Sequence, residues 1–265
     1  MGQRLGQHFL HSPSVLQKIA AAVCPAETPL VIEIGPGHGA LTQHLLAAAS
    51  RLVAIELDPL LAEELRRRYA GNDRVTIVEA DVLSVDLAQW GPAVIAGNLP
   101  YYITSPILDR TLRSGPACLR AVFLMQKEVA LRLTAQPGSR DYGFLTVRTQ
   151  SLAHPRRLLT VRPGAFDPPP KVDSAVVELT PHAPPCPDVE DFLRFAGWCF
   201  EQKRKTLRNN LAKHFGTLSE GELPEGRLRA EQLTVAQLAA LWERLRGRHR
   251  GASDYTGISA VTNKA

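Results

Sequence analysis

An amide, a carbonyl of fixed direction and a flat ring follow one another at Asn98-Leu99-Pro100-Tyr101. Asn98 offers a donor and an acceptor on one side chain. Pro100 fixes its own φ and holds Leu99 extended, which gives the Leu99 carbonyl a defined direction. Tyr101 can stack on a base. Together these are the parts needed to grip an exocyclic amine on a planar ring. The competing reading is an Asn-x-Pro turn followed by a core tyrosine.

Three other groups have types and spacings that suit a nucleoside. Gly35-Pro36-Gly37-His38-Gly39 lets backbone N–H groups and a helix N-terminus approach a ligand closely. Its G-x-G-x-G spacing falls short of G-x-G-x-x-G, so a tight turn without a ligand also fits. Glu56 lies some 20 residues further on, where an acid can accept hydrogen bonds from ribose hydroxyls. A surface glutamate before a helix is the alternative. Asp81 is placed to reach an adenine amine or, equally on spacing, to serve as an N-cap or turn residue. Phe166 is the one aromatic of the loop 163–171, which holds four prolines in nine residues. An exposed ring there loses apolar burial unless it covers something or tucks under its own loop.

The elements that would carry these groups alternate between strand and helix. Apolar runs at 30–34, 52–56, 75–78, 93–96 and 121–125 read as buried parallel strands. Glycine turn, Glu56, Asp81 and Asn98 then fall at or just past four successive strand ends, where open α/β sheets bind ligands. Helices are expected from Ser12 or Ser14 to Val23, with Val15, Ile19 and Val23 on one stripe, and over 40–49, 60–69, 104–113, 127–135 and 142–150. Pro59 suits the first helical position of the third of these. Runs at 158–161 and 172–179 predict an antiparallel pair at the sheet edge. Residues 1–11 are too short for a core element and are expected to lie across the site.

A proline-rich stretch, 181–187, reads as a linker. Beyond it the pattern is helical. Phe192, Phe195, Ala196 and Cys199 share a face, as do Leu207, Leu211 and Phe215, and Leu238, Leu241, Trp242 and Leu245. Residues 251–265 show no periodicity and read as a mobile tail. The expected division is a Rossmann-like domain over 1–182 and a small all-α, basic domain over 183–265.

Charge placement supports that division. The net charge is +5, and residues 200–250 hold 11 Lys/Arg against 6 Glu, so the whole surplus sits in the C-terminal part. Lys203, Arg204, Lys205 and Arg208 are expected to open one helix and to meet a polyanion; a solvated basic face is the alternative. Arg244, Arg246, Arg248 and Arg250 follow another helix. The four cysteines have no metal-like spacing and are expected to be reduced thiols. No metal site is expected. No apolar run approaches a membrane span, and the N-terminus lacks the apolar core of a secretory signal, so a cytoplasmic location without a membrane partner is expected.

In combination these segments carry a resemblance. GQHFL (6–10), VIEIGPGHGALT (31–42), AIELD (54–58), Asp81, GNLPYYITSP (97–106), FLMQKEVALRL (123–133) and PGAFDPPPKVDSAV (164–176) span nearly the whole chain. The chain resembles the small-subunit (16S) rRNA adenine N6-dimethyltransferases, the KsgA (RsmA) family. The resemblance implies an S-adenosylmethionine-dependent enzyme that adds two methyls to each of two adjacent adenosines of 16S rRNA in the small ribosomal subunit, acting as a monomer in ribosome biogenesis. It implies that His8 and Leu10 help close the cofactor pocket and that Gly35 and Gly37 lie against the methionine part. Glu56 then holds the ribose, Asp81 the adenine amine, and Asn98 the region next to the methyl. Asn98 and the Leu99 carbonyl would accept the target N6–H bonds, with Pro100 setting the geometry, Tyr101 on one ring face and Phe166 closing the other.

Two positions depart from the family pattern: His8 stands where Asn is common, and Tyr102 follows NLPY where Asn is usual. Relatives that methylate large-subunit rRNA and confer macrolide resistance typically carry Ile in place of Leu99. A nicotinamide-dependent dehydrogenase would fit the glycine turn and Glu56, yet leaves Asn98–Tyr101 and the basic part unexplained. An RNA-binding relative without transfer is opposed by the intact Asn98, Pro100 and Tyr101.

Overall fold

The computed structural model describes residues 8–248. The chain divides into two compact units. Residues up to Thr134 together with Leu152–Ala183 form the first, and Ala135–Ser151 joins the residues from Pro184 onward in the second. Residues 1–7, with Arg4, and the segment expected as a tail, with Arg250, lie outside the described residues.

The first unit opens with a short strand β1 (Phe9–Leu10) and helix α1 (Pro13–Val23). There follow β2 (Thr28–Ile34), α2 (Ala40–Leu45), β3 (Ala49–Glu56), α3 (Pro59–Arg68) and β4 (Val75–Glu79). Then come β5 (Ala93–Asn98), α4 (Thr104–Arg113), β6 (Cys118–Gln126) and α5 (Lys127–Leu133). Strands β7 (Ala153–Val161), β8 (Phe166–Asp167) and β9 (Ser174–Pro181) end the unit.

Seven strands form one sheet in the order β4-β3-β2-β5-β6-β9-β7. The five from β4 to β6 are mutually parallel, whereas β9 runs antiparallel to β6 and β7. Chain order reverses between β2 and β5, and a crevice opens beyond the strand ends at such a switch point. Val31, Ile32, Leu52, Val53, Ala54, Ile95 and Ala96 are all at most 1% exposed, which is why these strands read as continuous apolar runs. Gly97 is dictated by the β2–β5 pairing. A Cβ there would stand 2.4 Å from the Ile34 carbonyl oxygen.

Several bounds differ from those expected. Helix α2 stops at Leu45 because β3 begins at Ala49, paired with Thr28 of β2. Strand β7 begins at Ala153, before Pro155-Arg156-Arg157. It is the outermost strand, so Pro155 sacrifices no inner ladder bond. On α1 the buried stripe is Leu16, Ile19, Ala20 and Val23, with Val15 only half-buried.

The second unit contains α6 (Phe144–Gln150), α7 (Val189–Cys199), α8 (Leu207–Phe215) and α9 (Val235–Leu245). All three apolar stripes read from the sequence are buried in one core. Phe195 packs on Trp242 with ring centroids 5.4 Å apart. Burying each of these large side chains is worth about 1.5–3 kcal/mol. Tyr142, 1% exposed, belongs to the same core, as do Ala135 and Val147. Segment 135–151 thus packs with the helical unit, although in sequence it interrupts the first. All four cysteines are buried free thiols. Among the described residues no helix is long and apolar enough to cross a membrane.

Candidate active site

A cavity lies at the carboxyl ends of β2, β3 and β5, walled by the glycine turn, Glu56, Asp81 and Asn98–Tyr102. Each wall has a local cause. Gly35, Gly37 and Gly39 all adopt positive φ, and the turn carries the chain from β2 into α2. A side chain on Gly37 would meet the Phe9 ring at 3.0 Å. Glu56, the last residue of β3, is 3% exposed. Its Oε2 accepts from Gly37 N at 3.0 Å and its Oε1 from Leu57 N and Asp58 N, both at 3.0 Å. Three amides therefore hold the carboxylate between the glycine turn and α3. Asp58 caps α3 by accepting from Leu60 N at 2.9 Å. Asp81 follows β4; its Oδ1 accepts from Leu83 N at 2.9 Å, closing a turn, and the residue lines the cavity. Both roles open to it in the sequence are thus compatible in the fold.

The neighbouring wall is built by β5, paired with β2, and the turn after it. Leu99 is 1% exposed and donates its N–H to Leu124 O at 2.9 Å, extending the strand ladder past Asn98. The Asn98 side chain donates from Nδ2 to the His8 carbonyl at 2.9 Å. That bond engages the nitrogen end of the amide and leaves Oδ1 as the acceptor end. The Tyr101 hydroxyl shares a 2.7 Å hydrogen bond with Ser174 Oγ on β9. Burial pushes the Tyr101 hydroxyl pKa up, and the Ser174 bond partly offsets this.

A strap closes the cavity from above. Phe9 and Leu10 pair antiparallel with Asp167 and Phe166, and His11 N donates to Ala165 O at 2.9 Å. His8 Nδ1 donates to the Pro168 carbonyl at 2.7 Å, and its ring lies 5.5 Å from that of Tyr101. His8 and Leu10 both line the cavity.

Phe166 is the exception. It is 3% exposed, sits in the core of the first unit and does not line the cavity. Pairing of β8 with β1 turns its ring under the loop, so it does not close the second face of a bound base in this conformation. Of the basic cluster, Lys203, Arg204 and Lys205 are exposed but lie in the loop before α8 rather than on the helix. Lys203 Nζ donates to Arg140 O at 2.8 Å. Arg208, in the first turn of α8, is half-buried and donates to the Leu218 carbonyl, with its guanidinium packed against Gly226. It is spent on the fold of the second unit and does not present a free charge.

Glu33 is the wall residue that sequence reasoning missed. It lies on β2, is 1% exposed and lines the cavity. Its Oε2 has no hydrogen-bond partner among the described residues. Burial raises its pKa from 4.5 to about 7; the Thr42 hydroxyl opposes the rise and the Glu56 charge adds to it. An acid in the middle of the run Val31-Ile32-Glu33-Ile34 was the available signal, since a charged residue in a buried strand needs a partner.

A parallel sheet with a glycine turn, an acid at the second strand end and an Asn-Leu-Pro-Tyr wall at the switch point defines a Rossmann-like methyltransferase of the S-adenosylmethionine-dependent kind. Comparison with known proteins narrows this. The family described as ribosomal RNA adenine dimethylase matches residues 2–242, and the chain belongs to that family. Ribosomal RNA small subunit methyltransferase A of Acidobacterium capsulatum is 46% identical over 259 residues, covering 92% of this chain and 91% of its own length. The protein of that name from Geobacter sulfurreducens is 43% identical over 255 residues, covering 89% and 92%. The crystal structure of a dimethyladenosine transferase from Plasmodium falciparum shares the fold, with a TM-score of 0.78 at 24% identity over 91% of this chain and 99% of that one. The 23S rRNA methyltransferase ErmE superposes with a TM-score of 0.71 at 29% identity over 90% and 99%.

Proposed function

We propose that this chain transfers methyl groups from S-adenosylmethionine to N6 of two adjacent adenosines of 16S rRNA in the small ribosomal subunit. One observation carries the reading: a single cavity is lined by two buried acids, a glycine turn, an amide, a directed carbonyl and a tyrosine ring. When bound, the cofactor supplies an electrophilic methyl on a cationic sulfur. The unpartnered, buried Glu33 Oε2 suits a cationic ligand, and Gly35–Gly37 leave the backbone bare beside it. Glu56 and Asp81 would hold ribose hydroxyls and the adenine amine, and His8 and Leu10 would cover them.

Adenine N6 is a poor nucleophile, because its lone pair is delocalised into the ring. Asn98 Oδ1 and the Leu99 carbonyl would accept its two N–H bonds and favour a more pyramidal nitrogen. The His8 carbonyl holds the Asn98 nitrogen end, so the acceptor end is presented to the amine. Tyr101, anchored through Ser174, offers its ring face to the base. Positioning then does most of the work, and no strong general base is required. The base must leave its stack to enter. Lys203, Arg204 and Lys205 would meet rRNA phosphates, which position the substrate without choosing the base. The protein is read as a cytoplasmic monomer acting in ribosome biogenesis.

Labelled S-adenosylmethionine, offered with unmethylated small subunits and separately with large subunits, tests this. Label in N6,N6-dimethyladenosine of the small subunit is expected. Label only in the large subunit, or none in either, refutes it.

A further inference from the structure

We propose that Tyr102 is a stacking platform for the RNA base next to the one being methylated. The inference rests on the function proposed above. Tyr102 lines the mouth of the cavity yet is 59% exposed. It is not on a loose loop. Residues Tyr101–Ile103 form one 3-10 turn, in which Ile103 N donates to Pro100 O at 3.2 Å. The next residue, Thr104, is 2% exposed, donates from Oγ1 to Pro100 O at 3.1 Å and starts α4. The ring is therefore presented from a braced backbone.

Geometry separates its task from that of Tyr101. Consecutive residues of a 3-10 turn project about 120° apart, so the two rings cannot face the same base. Tyr101 is half-buried and tied to Ser174, and it takes the base inside the cavity. Tyr102 faces out at the mouth. When the target adenosine is drawn from its stack, the neighbouring base loses one stacking partner. A tyrosine ring at the mouth replaces that partner, and such stacking tolerates any base. With two adjacent adenosines as substrates, one occupies the cavity while the other rests on Tyr102. Phe166, 3% exposed and off the cavity, cannot take this place.

The test uses the full chain, unmethylated small subunits and labelled S-adenosylmethionine, with Tyr102→Ala and Tyr102→Phe. Tyr102→Ala should raise KM for the subunit about 10-fold, in the range measured for loss of one stacked base. Its kcat, its cofactor affinity by calorimetry and its melting temperature should stay as in the wild type, and Tyr102→Phe should restore KM. An unchanged KM in Tyr102→Ala overturns the inference. So does a fall in kcat alone, or a loss of cofactor affinity, because either would place the ring inside the reaction cavity. Failure of Tyr102→Phe to restore KM also overturns it, since stacking needs the ring and not the hydroxyl. Wild-type protein that methylates no subunit overturns the function itself and this inference with it.

Discussion

Glu33 should make cofactor binding depend on pH, and the size of the effect follows from its surroundings. The carboxyl is buried, its Oε2 lacks a partner, and its pKa is raised from 4.5 to about 7 by burial first and by the Glu56 charge as well. A cationic ligand beside it requires the carboxylate form. With a pKa of about 7, the ionised fraction rises from roughly 10% at pH 6 to roughly 90% at pH 8, so affinity should rise about ninefold over that interval. Binding should release roughly 0.9 proton at pH 6 and about half a proton at pH 7. The same shift bears on stability. The folded pKa lies above the unfolded value, so the protonated acid is the form that folding favours. Stability from this group is complete below pH 4.5 and declines as pH rises towards 7, by about 3 kcal/mol in all. Titration calorimetry between pH 6 and 8, in buffers of different ionisation enthalpy, measures both affinity and proton release. S-adenosylhomocysteine should be run beside S-adenosylmethionine, because it keeps the ammonium group and lacks the sulfonium charge. Glu56 and Asp81 also face the cavity, as do His8 and His38, so Glu33→Gln is the control that assigns the dependence. That variant should bind more weakly at pH 8 and show a flat profile. A flat wild-type profile, or the same slope in Glu33→Gln, would refute the reasoning.

Three further outcomes are expected. Asn98→Ala should abolish methyl transfer while cofactor affinity, measured by calorimetry, stays within about tenfold, because the cofactor is assigned to Glu33, Glu56, Asp81 and the glycine turn and the Asn98 amide to the target amine; normal turnover would sink the role given to the amide. Glu56→Ala should weaken cofactor binding by roughly 1–3 kcal/mol through lost charge-assisted bonds to hydroxyls, and equal affinities for the two proteins would refute the ribose assignment. Replacing Lys203, Arg204 and Lys205 together by Ala should weaken subunit binding and flatten its salt dependence without changing cofactor affinity. Arg208 is left in place because it holds Leu218 and the fold of the second unit. Normal subunit binding by the triple variant across a salt series would make this basic loop a solvated surface only.

What was legible in the sequence is what depends on neighbours along the chain. The buried strands announced themselves as apolar runs, and the glycine turn, Glu56, Asp81 and Asn98 could be placed at their ends by counting. The three helical stripes of the second unit were readable for the same reason, since a helix repeats its buried face every three to four residues. Nothing local marks the partner of a strand. Phe166 looked available because four prolines mark its loop as exposed, and only its pairing with Leu10, far away in the chain, turns the ring inward. Segment 135–151 reads as part of the larger domain by position, yet Tyr142 and Val147 find their apolar contacts in the helical core. The constraint on Gly97 has no local sign, because it arises only where β2 and β5 come together and leave no room for a Cβ beside the Ile34 carbonyl. Glu33 shows the division most clearly. Its type and position were visible from the start, but the burial that leaves its Oε2 unpartnered exists only once α2 and the sheet have packed around it. Residue types and spacings determined which chemistry the chain can attempt. Tertiary packing decided which of those groups face the cavity and which are spent on holding it.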